Sequence, residues 1–409
     1  MIIEQGKYRL KKITFDVIGF FVIITVFIFR KINIYFFMYP DAFGHQAMNI
    51  EYYGRKIALL SGKNKCIMIS FPRGKVIPNK ALFDHHVKSG IIMVGNNLLT
   101  KILRWSFTLQ KKLRKNNFNI DAFMMLNMTD LLANADIHIK SKVAFPFDND
   151  ENKSIDKVLS NMSLSNGNFY LFQDRNVHYH KKRYPNKDHE HDVFNNGRIE
   201  FIEDFEDAAK VMGDIGIKAV RIGSESEPVK RISNIIDYPN IYRSKLGSIA
   251  DLALIDRCKF FVGPNSGITC AAIAFNKPLL YCNVFPWPWM HIPMNKNSVS
   301  MPKKLWMIDK KRMMTLQEMI KMESEFYYKK IHYDMAFFKS LKIEVVNNSS
   351  EEIMLATLEI NSRIDGTWDG ENYKLNKMLK NNIGCNSNSV LSTSFADLNK
   401  DIMGSLYKG

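Results

Sequence analysis

The chain has 409 residues, 46% of them hydrophobic and 12% aromatic, so it is too long for one ordinary core and too apolar to be disordered. Its net charge of +16 gives the surface a preference for anions: nucleic acid, anionic lipid, phosphorylated sugars or acidic glycans. A basic surface with no specific partner would carry the same charge. No nucleic-acid motif and no aromatic–basic interleaving of the RNA-binding kind occurs, so nucleic acid is not among the expected partners. Cys66, Cys258, Cys270, Cys282 and Cys385 form no CxxC or other metal spacing and read as reduced core residues of a cytosolic protein.

Lys7, Arg9, Lys11 and Lys12 precede an apolar run from Ile13 to Phe29, which Asp16 interrupts near its start. The run is short for a membrane span, and no small-residue cleavage site follows it. It can be a single-span anchor, a helix lying in the membrane interface, or the buried first helix of a domain. Membrane contact, peripheral or single-span, at the cytoplasmic side of the inner membrane is the reading carried forward, with residues 1–39 treated as one hydrophobic segment.

From residue 40 the pattern is α/β. The spacing predicts a helix from Gln46 to about Ser61, strands at 65–72 and 90–95, and helical text from 97 to about 115. The polar, turn-rich stretch that ends near residue 166 reads as a linker, giving a first α/β domain over 40–165. A second domain, 166–345, alternates strands at 168–175, 217–224, 235–238, 259–264 and 278–283 with helices at 199–216 and 248–257. Alternation of this kind argues for a parallel sheet covered on both faces. Residues 346–409 are expected to form one closing helix, 349–366, and a polar tail of low order.

In such sheets ligands bind beyond the C-terminal strand ends. The turn Gly263-Pro264-Asn265-Ser266-Gly267 lies at one of them. Gly263 and Gly267 allow close backbone approach, Asn265 and Ser266 can cap the following helix, and its dipole favours a phosphate. A plain strand–turn–helix connection with a good cap explains the same residues. Arg175 and Arg221 sit at neighbouring strand ends, where two guanidinium groups could clamp an oxyanion. Alternatively, each pairs with a carboxylate such as Asp174 or Asp237. Gly223 forms the turn after the second of these strands.

The loop from 178 to 198 carries His178, His180, His189 and His191, but His-x-His pairs on a long polar loop lack zinc-site spacing. A mobile basic loop over an anionic ligand, with Arg183 in contact, is preferred. Asp148-Asn149-Asp150 is a weak metal-binding triplet, and no metal site is expected. In the first domain His45 follows Gly44 at a helix start, where an imidazole can act as general base, with Asp41 and Glu51 within reach; a structural histidine is the alternative.

Taken in order, Gly44-His45, Arg175, Tyr184-Pro185-Asn186 with Asp188, Arg221-x-Gly223, Asp237-Tyr238, Arg243-Ser244 and Ser266-Gly267 resemble a family of bacterial glycosyltransferases. That family is associated with surface-polysaccharide and lipopolysaccharide assembly. The resemblance covers roughly residues 40 to 368 and departs at Gln173, where similar proteins carry histidine. It implies a GT-B-like fold of two facing Rossmann-type domains, with the donor held by the second and no essential metal. It also adds Asp188, Asp237, Arg243 and Ser244 to the donor side. The expected activity is transfer of a sugar from a nucleotide-sugar co-substrate, without further cofactor, to a glycan or lipid-linked glycan. His45, Asp41 or Glu51 would take the acceptor proton. A nucleotide-sugar epimerase of the same architecture and a non-catalytic membrane-associated scaffold are the alternatives.

Overall fold

The computed structural model describes residues 2–29, 34–61, 67–72, 77–95, 97–116, 122–123, 135–175, 200–223, 234–285, 295–326, 335–370, 376–377 and 390–404. The chain divides into two compact units, Met1–Met128 with Ser141–Phe147, and Thr129–Lys140 with Asp148–Gly409. By this division residues 129–140 and 148–165 lie in the second unit, and the hydrophobic N-terminal segment lies in the first.

The first unit is a parallel three-stranded sheet in the order β1 (Ile34–Tyr39), β2 (Ile67–Pro72), β3 (Ile91–Met93). The sequence reading missed β1, because it takes residues 1–39 as one hydrophobic segment although Arg30, Lys31 and Asn33 interrupt it. That helix, α1 (Ile2–Phe29), is followed by α2 (Phe43–Ser61), α3 (Lys80–Lys88) and α4 (Asn97–Lys115). Ile23 and Val26 of α1 join Phe71, Leu103, Phe107 and Phe123 in one core cluster. Among the described residues no helix is long and apolar enough to cross a membrane. Gly54 of α2 has no substitute: a Cβ there would stand 2.7 Å from both Ala144 Cβ and Phe145 Cε2.

A buried polar network fixes the entry to α2. Gln46 Nε2 donates to Tyr39 Oη and to the Asn79 carbonyl, each at 3.0 Å, and Gln46 Oε1 accepts from Asn79 N at 3.1 Å. Since Tyr39 Oη accepts from Gln46, its own proton is left for His86 Nδ1, 2.8 Å away. The bond needs an unprotonated Nδ1. Burial, with His85 a second cause, holds the His86 pKa down at about 3.

The second unit has a seven-stranded sheet in the order β13-β9-β8-β7-β4-β5-β6, whose strand pairings are all parallel among the described residues. The strands are β4 (Phe169–Phe172), β5 (Lys218–Arg221), β6 (Ile235–Asp237), β7 (Phe261–Gly263), β8 (Leu279–Val284), β9 (Val299–Pro302) and β13 (Val390–Leu391). β4, β7 and β8 are buried throughout, as their unbroken apolar runs require of central parallel strands. A small antiparallel sheet, β11 (Arg312–Met313), β10 (Lys304–Met307) and β12 (Ile343–Val346), follows β9.

The stretch expected to be a linker is a helix, α5 (Asn149–Asn161), which buries Ile155, Val158 and Leu159 along one face. Asp148 caps it by accepting from Asp150 N and Glu151 N, each at 3.0 Å, while Glu151 answers the Asp148 amide, so the acidic triplet is a capping box. Helices α6 (Glu206–Asp214), α7 (Ile249–Arg257) and α8 (Gly267–Ala274) lie where the sequence places helical text. The closing helix α9 (Ser350–Asp365) has the capping box Ser349/Glu352 and ends at Gly366, φ 72°.

The tail beyond α9 departs from expectation. Val390 and Leu391 form β13 at the sheet edge, and α10 (Thr393–Leu398) follows. Glu359 of α9 holds this segment, accepting from Ser392 Oγ at 2.7 Å, Thr393 N at 3.2 Å and Ser394 N at 2.9 Å.

The depressed pKa of His86 makes a prediction about pH. Its folded value lies below the unfolded one, so the stability it contributes is complete above about pH 6.5 and is lost as pH falls toward 3. Relative to wild type, His86→Gln should become progressively less costly on acidification, by on the order of 1 kcal/mol per pH unit below 6. Urea unfolding at pH 7 and pH 4 checks it; an equal difference at the two pH values would contradict a neutral His86.

Candidate functional site

The strand order of the second sheet reverses at β4. The chain runs β4-β5-β6 toward one edge, then returns to place β7 on the other side of β4 and continues through β8 and β9. The crevice beyond the β4 and β7 C-termini is therefore the topological switch point, where open parallel sheets bind ligands.

Two consecutive residues past β4 face its two neighbours. Asp174 accepts a bidentate pair from Arg221 at the end of β5, Nε to Oδ1 at 2.7 Å and Nη2 to Oδ2 at 2.6 Å. Arg175 turns the other way, and its Nη1 donates to the Asn265 carbonyl past β7 at 2.5 Å.

Arg221 is not the second half of an oxyanion clamp. It is buried, and its Nη1 also donates to Asp237 Oδ1 at 3.3 Å. Burial opposes its charge, but Asp174 and then Asp237 outweigh this and raise its pKa. Asn240 Nδ2 donates to the other Asp237 oxygen at 2.7 Å. Arg221 and Asp237 thus form the carboxylate pairing weighed as the alternative, and they tie β4, β5 and β6 together. Arg243 Nη1 donates to the Gly223 carbonyl at 3.0 Å, and its Nη2 lies 3.4 Å from Asp251, whose other oxygen accepts from Tyr238 Oη at 2.7 Å. This second clasp holds the turn after β5. Ser244 is exposed.

On the β7 side, Ser266 caps α8 by accepting from Thr269 N at 3.1 Å, and it also bonds Gln173. The cap satisfies one amide of the first turn and leaves the positive end of the helix dipole facing the switch point. Gly263 is fixed by close packing, because a Cβ would meet Phe261 Cε1 at 2.8 Å. Asn265, next to this cap, is 9% exposed, and its Nδ2 is buried with no hydrogen-bond partner among the described residues.

A second group of buried polar residues, unforeseen in the sequence, adjoins Arg175. Glu200 N donates to the Arg175 carbonyl at 3.0 Å. Both Glu200 carboxylate oxygens and Asn283 Nδ2 are buried without hydrogen-bond partners among the described residues. Burial raises the Glu200 pKa; the Lys303 charge and the Asn283 amide, which favours the ionised form without meeting hydrogen-bond geometry, oppose this. Burial likewise lowers the pKa of Lys303, with Glu200 acting against it. Asn283 lies in β8, and Lys303 immediately follows β9. Their only sequence signal is a polar residue closing an apolar run.

In the first unit His45 is exposed on the first turn of α2, turned outward because its neighbour Gln46 is the buried anchor. Asp41 is half-buried just before the helix. Glu51 is not placed as a base: it is buried, accepts from Arg55 Nε at 2.7 Å and Ala144 N at 2.6 Å, and holds the 141–147 segment. Arg183, Asp188 and the four loop histidines lie outside the described residues. Among those described, no three His, Cys, Asp or Glu side chains converge as metal ligands.

No family model and no curated protein matches the chain. Among solved structures it is similar to the glycosyl transferase family 9 protein from Veillonella parvula, at 11% identity over 81% of this chain and 98% of that one, with a TM-score of 0.43. It is also similar to the E. coli ADP-heptose lipopolysaccharide heptosyltransferase II, at 13% identity over 61% and 84% of the two chains, TM-score 0.34. A third is the E. coli heptosyltransferase WaaC with ADP, at 9% identity over 72% and 98%, TM-score 0.31. Similarity at these levels carries no inference about the activity of this chain.

The two arginines should separate in stability. Arg221→Ala strands two carboxylates and should cost about 3–5 kcal/mol, whereas Arg175→Ala, losing one bond at a half-buried site, should cost about 1 kcal/mol. Urea midpoints of the two variants test this, and a nearly silent Arg221→Ala would count against the clasp.

Proposed function

We propose that the chain transfers a sugar from a nucleotide-activated donor to a surface glycan or its lipid-linked precursor, at the cytoplasmic side of the inner membrane. One observation carries the reading. At the reversal of strand order, Arg175 is joined to the Asn265-Ser266-Gly267 turn beside a capped helix N-terminus and a buried amide without a hydrogen-bond partner among the described residues. A departing nucleoside diphosphate needs a cation, amide donors and a positive dipole end together. The order of motifs from His45 to Gly267 supports the same reading through its resemblance to glycosyltransferases. The proposal includes the GT-B-like pairing of two nucleotide-fold units and metal-independent transfer.

The roles differ from those read from the sequence. Arg175 neutralises the leaving phosphate. Arg221 and Arg243 are positioning residues, which hold the ends of β4, β5 and β6 and the Gly223 turn. Asn265 offers its amide to a phosphate or ribose oxygen. For the acceptor hydroxyl, His45 or Asp41 remains the proposed base, and Glu51 is withdrawn.

Thermal unfolding with a panel of nucleoside diphosphates tests the proposal. At least one should stabilise the wild-type chain, by about 2.7 kcal/mol at a hundred times its dissociation constant. Arg175→Ala should weaken that nucleotide roughly tenfold or more, the loss expected for a charge-assisted bond. A panel without any shift, or undiminished binding to Arg175→Ala, would remove the basis for the assignment.

A further inference from the structure

The sugar-transfer reading leaves α1 unused. Its residues 13 to 28 are apolar on two opposite faces, and only one of these is covered. On the covered side, Ile23 and Val26 enter the first unit's core and Gly19 lies against Trp105. The single carboxylate of the apolar run also turns to this side, where Asp16 Oδ1 accepts from Trp105 Nε1 at 2.8 Å. On the other side Ile13, Val17, Phe20, Phe21, Phe27 and Ile28 are 60%, 50%, 46%, 67%, 39% and 58% exposed. Their spacing keeps them on one stripe, about 22 Å long at 1.5 Å per residue. With Asp16 bonded to Trp105, this stripe carries no charge.

The helix packed against α1 is basic. α4, against which α1 packs, has no acidic residue and exposes Lys101, Lys111, Lys112, Arg114 and Lys115. Lys112 Nζ lies 5.9 Å from the ring centroid of Trp105, the ring that also meets Phe15 of α1 at 5.8 Å. An uncharged aromatic and aliphatic stripe on a helix packed against a basic one is complementary to one partner above others: the surface of a bilayer containing anionic lipid. A second copy fits less well, since pairing these faces would bring two chains of charge +16 together along their basic helices. Crossing the bilayer is not open to α1 while its other face is committed to Leu103, Phe107 and Phe123.

We propose that α1 and α4 form a membrane-docking platform, in which the Ile13–Ile28 stripe enters the interface of an anionic leaflet and the α4 lysines meet its headgroups. The proposal stands independently of the sugar-transfer assignment.

Co-sedimentation of the full chain with vesicles tests it, using phosphatidylcholine alone and phosphatidylcholine mixed with phosphatidylglycerol. Binding should require phosphatidylglycerol and fall as salt is raised. Phe21→Glu, on the bare face, should weaken it roughly tenfold, and Lys111→Glu with Lys112→Glu by a similar factor. Circular dichroism and unfolding midpoints should match wild type, since none of the three side chains is buried. Failure of the folded wild type to bind phosphatidylglycerol vesicles would overturn the proposal, as would undiminished binding by these variants. So would a wild-type dimer in sedimentation velocity that Phe21→Glu dissociates, which would assign the stripe to a second copy.

Discussion

The working edge of the second sheet depends on one buried ion cluster, Arg221 between Asp174 and Asp237. A guanidinium at this depth is tolerable only if its donors are met, and here two carboxylates and one bidentate geometry meet them. The consequence extends beyond stability. Asp174 is held toward β5 by Arg221, while the next residue, Arg175, reaches the Asn265 carbonyl past β7. A half-buried cation at the switch point therefore sits one residue from the carboxylate that satisfies a fully buried one.

β4 is where this matters, because it is the strand from which the sheet grows in both directions. Its four residues are completely buried, Tyr170 with its hydroxyl included, so a ligand can be met only beyond Phe172. The same holds for β7 and β8, whose apolar runs end in Gly263 and near Asn283. A row of strand ends results, with the apolar sheet behind it and Asp174, Arg175, Arg221, Asp237, Asn265, Asn283 and Lys303 along it. Strand order and apolar runs place the row; the side chains decide what it can hold.

Much of this was legible. The central strands announced themselves as short apolar runs ended by Gly, Pro or Asn, and α9 as the closing helix expected over 349–366. The switch-point turn was identified from its residues alone. The roles of the two arginines were not separable, because each sits near a strand end beside a carboxylate. Register separates them: Arg221 is still within β5, directly beside Asp237 of β6, whereas Arg175 lies three residues beyond β4. Register arises from pairing between distant segments and leaves no local mark. The same blindness hid β1 within a longer hydrophobic segment and β13 within a polar tail, where two residues pair only because Glu359 holds the segment that follows.

The buried glutamates show what is particular about the strand-end row. Glu51 accepts from Arg55 and Ala144; Glu352 accepts from Lys304, Ser349 and Asn399; Glu359 accepts from Arg363 and the turn at 392–394. Each is buried, and each joins segments distant in sequence through bonds that offset its desolvation. Glu200 is as deeply buried, yet neither of its oxygens has a hydrogen-bond partner among the described residues, and the same is true of the amides of Asn265 and Asn283. An unmet buried polar group costs about 1–3 kcal/mol, and native folds seldom retain one without a use for it. Among the described residues Tyr170 Oη, Asp204 Oδ2 and Asn361 Oδ1 are unmet as well, but the grouping of Glu200 and Asn265 about Arg175, with Asn283 beside Glu200, makes this the part of the second unit that sheet stability explains least. That grouping, more than the glycines or the helix dipole, separates the Ser266 turn from an ordinary strand-to-helix connection.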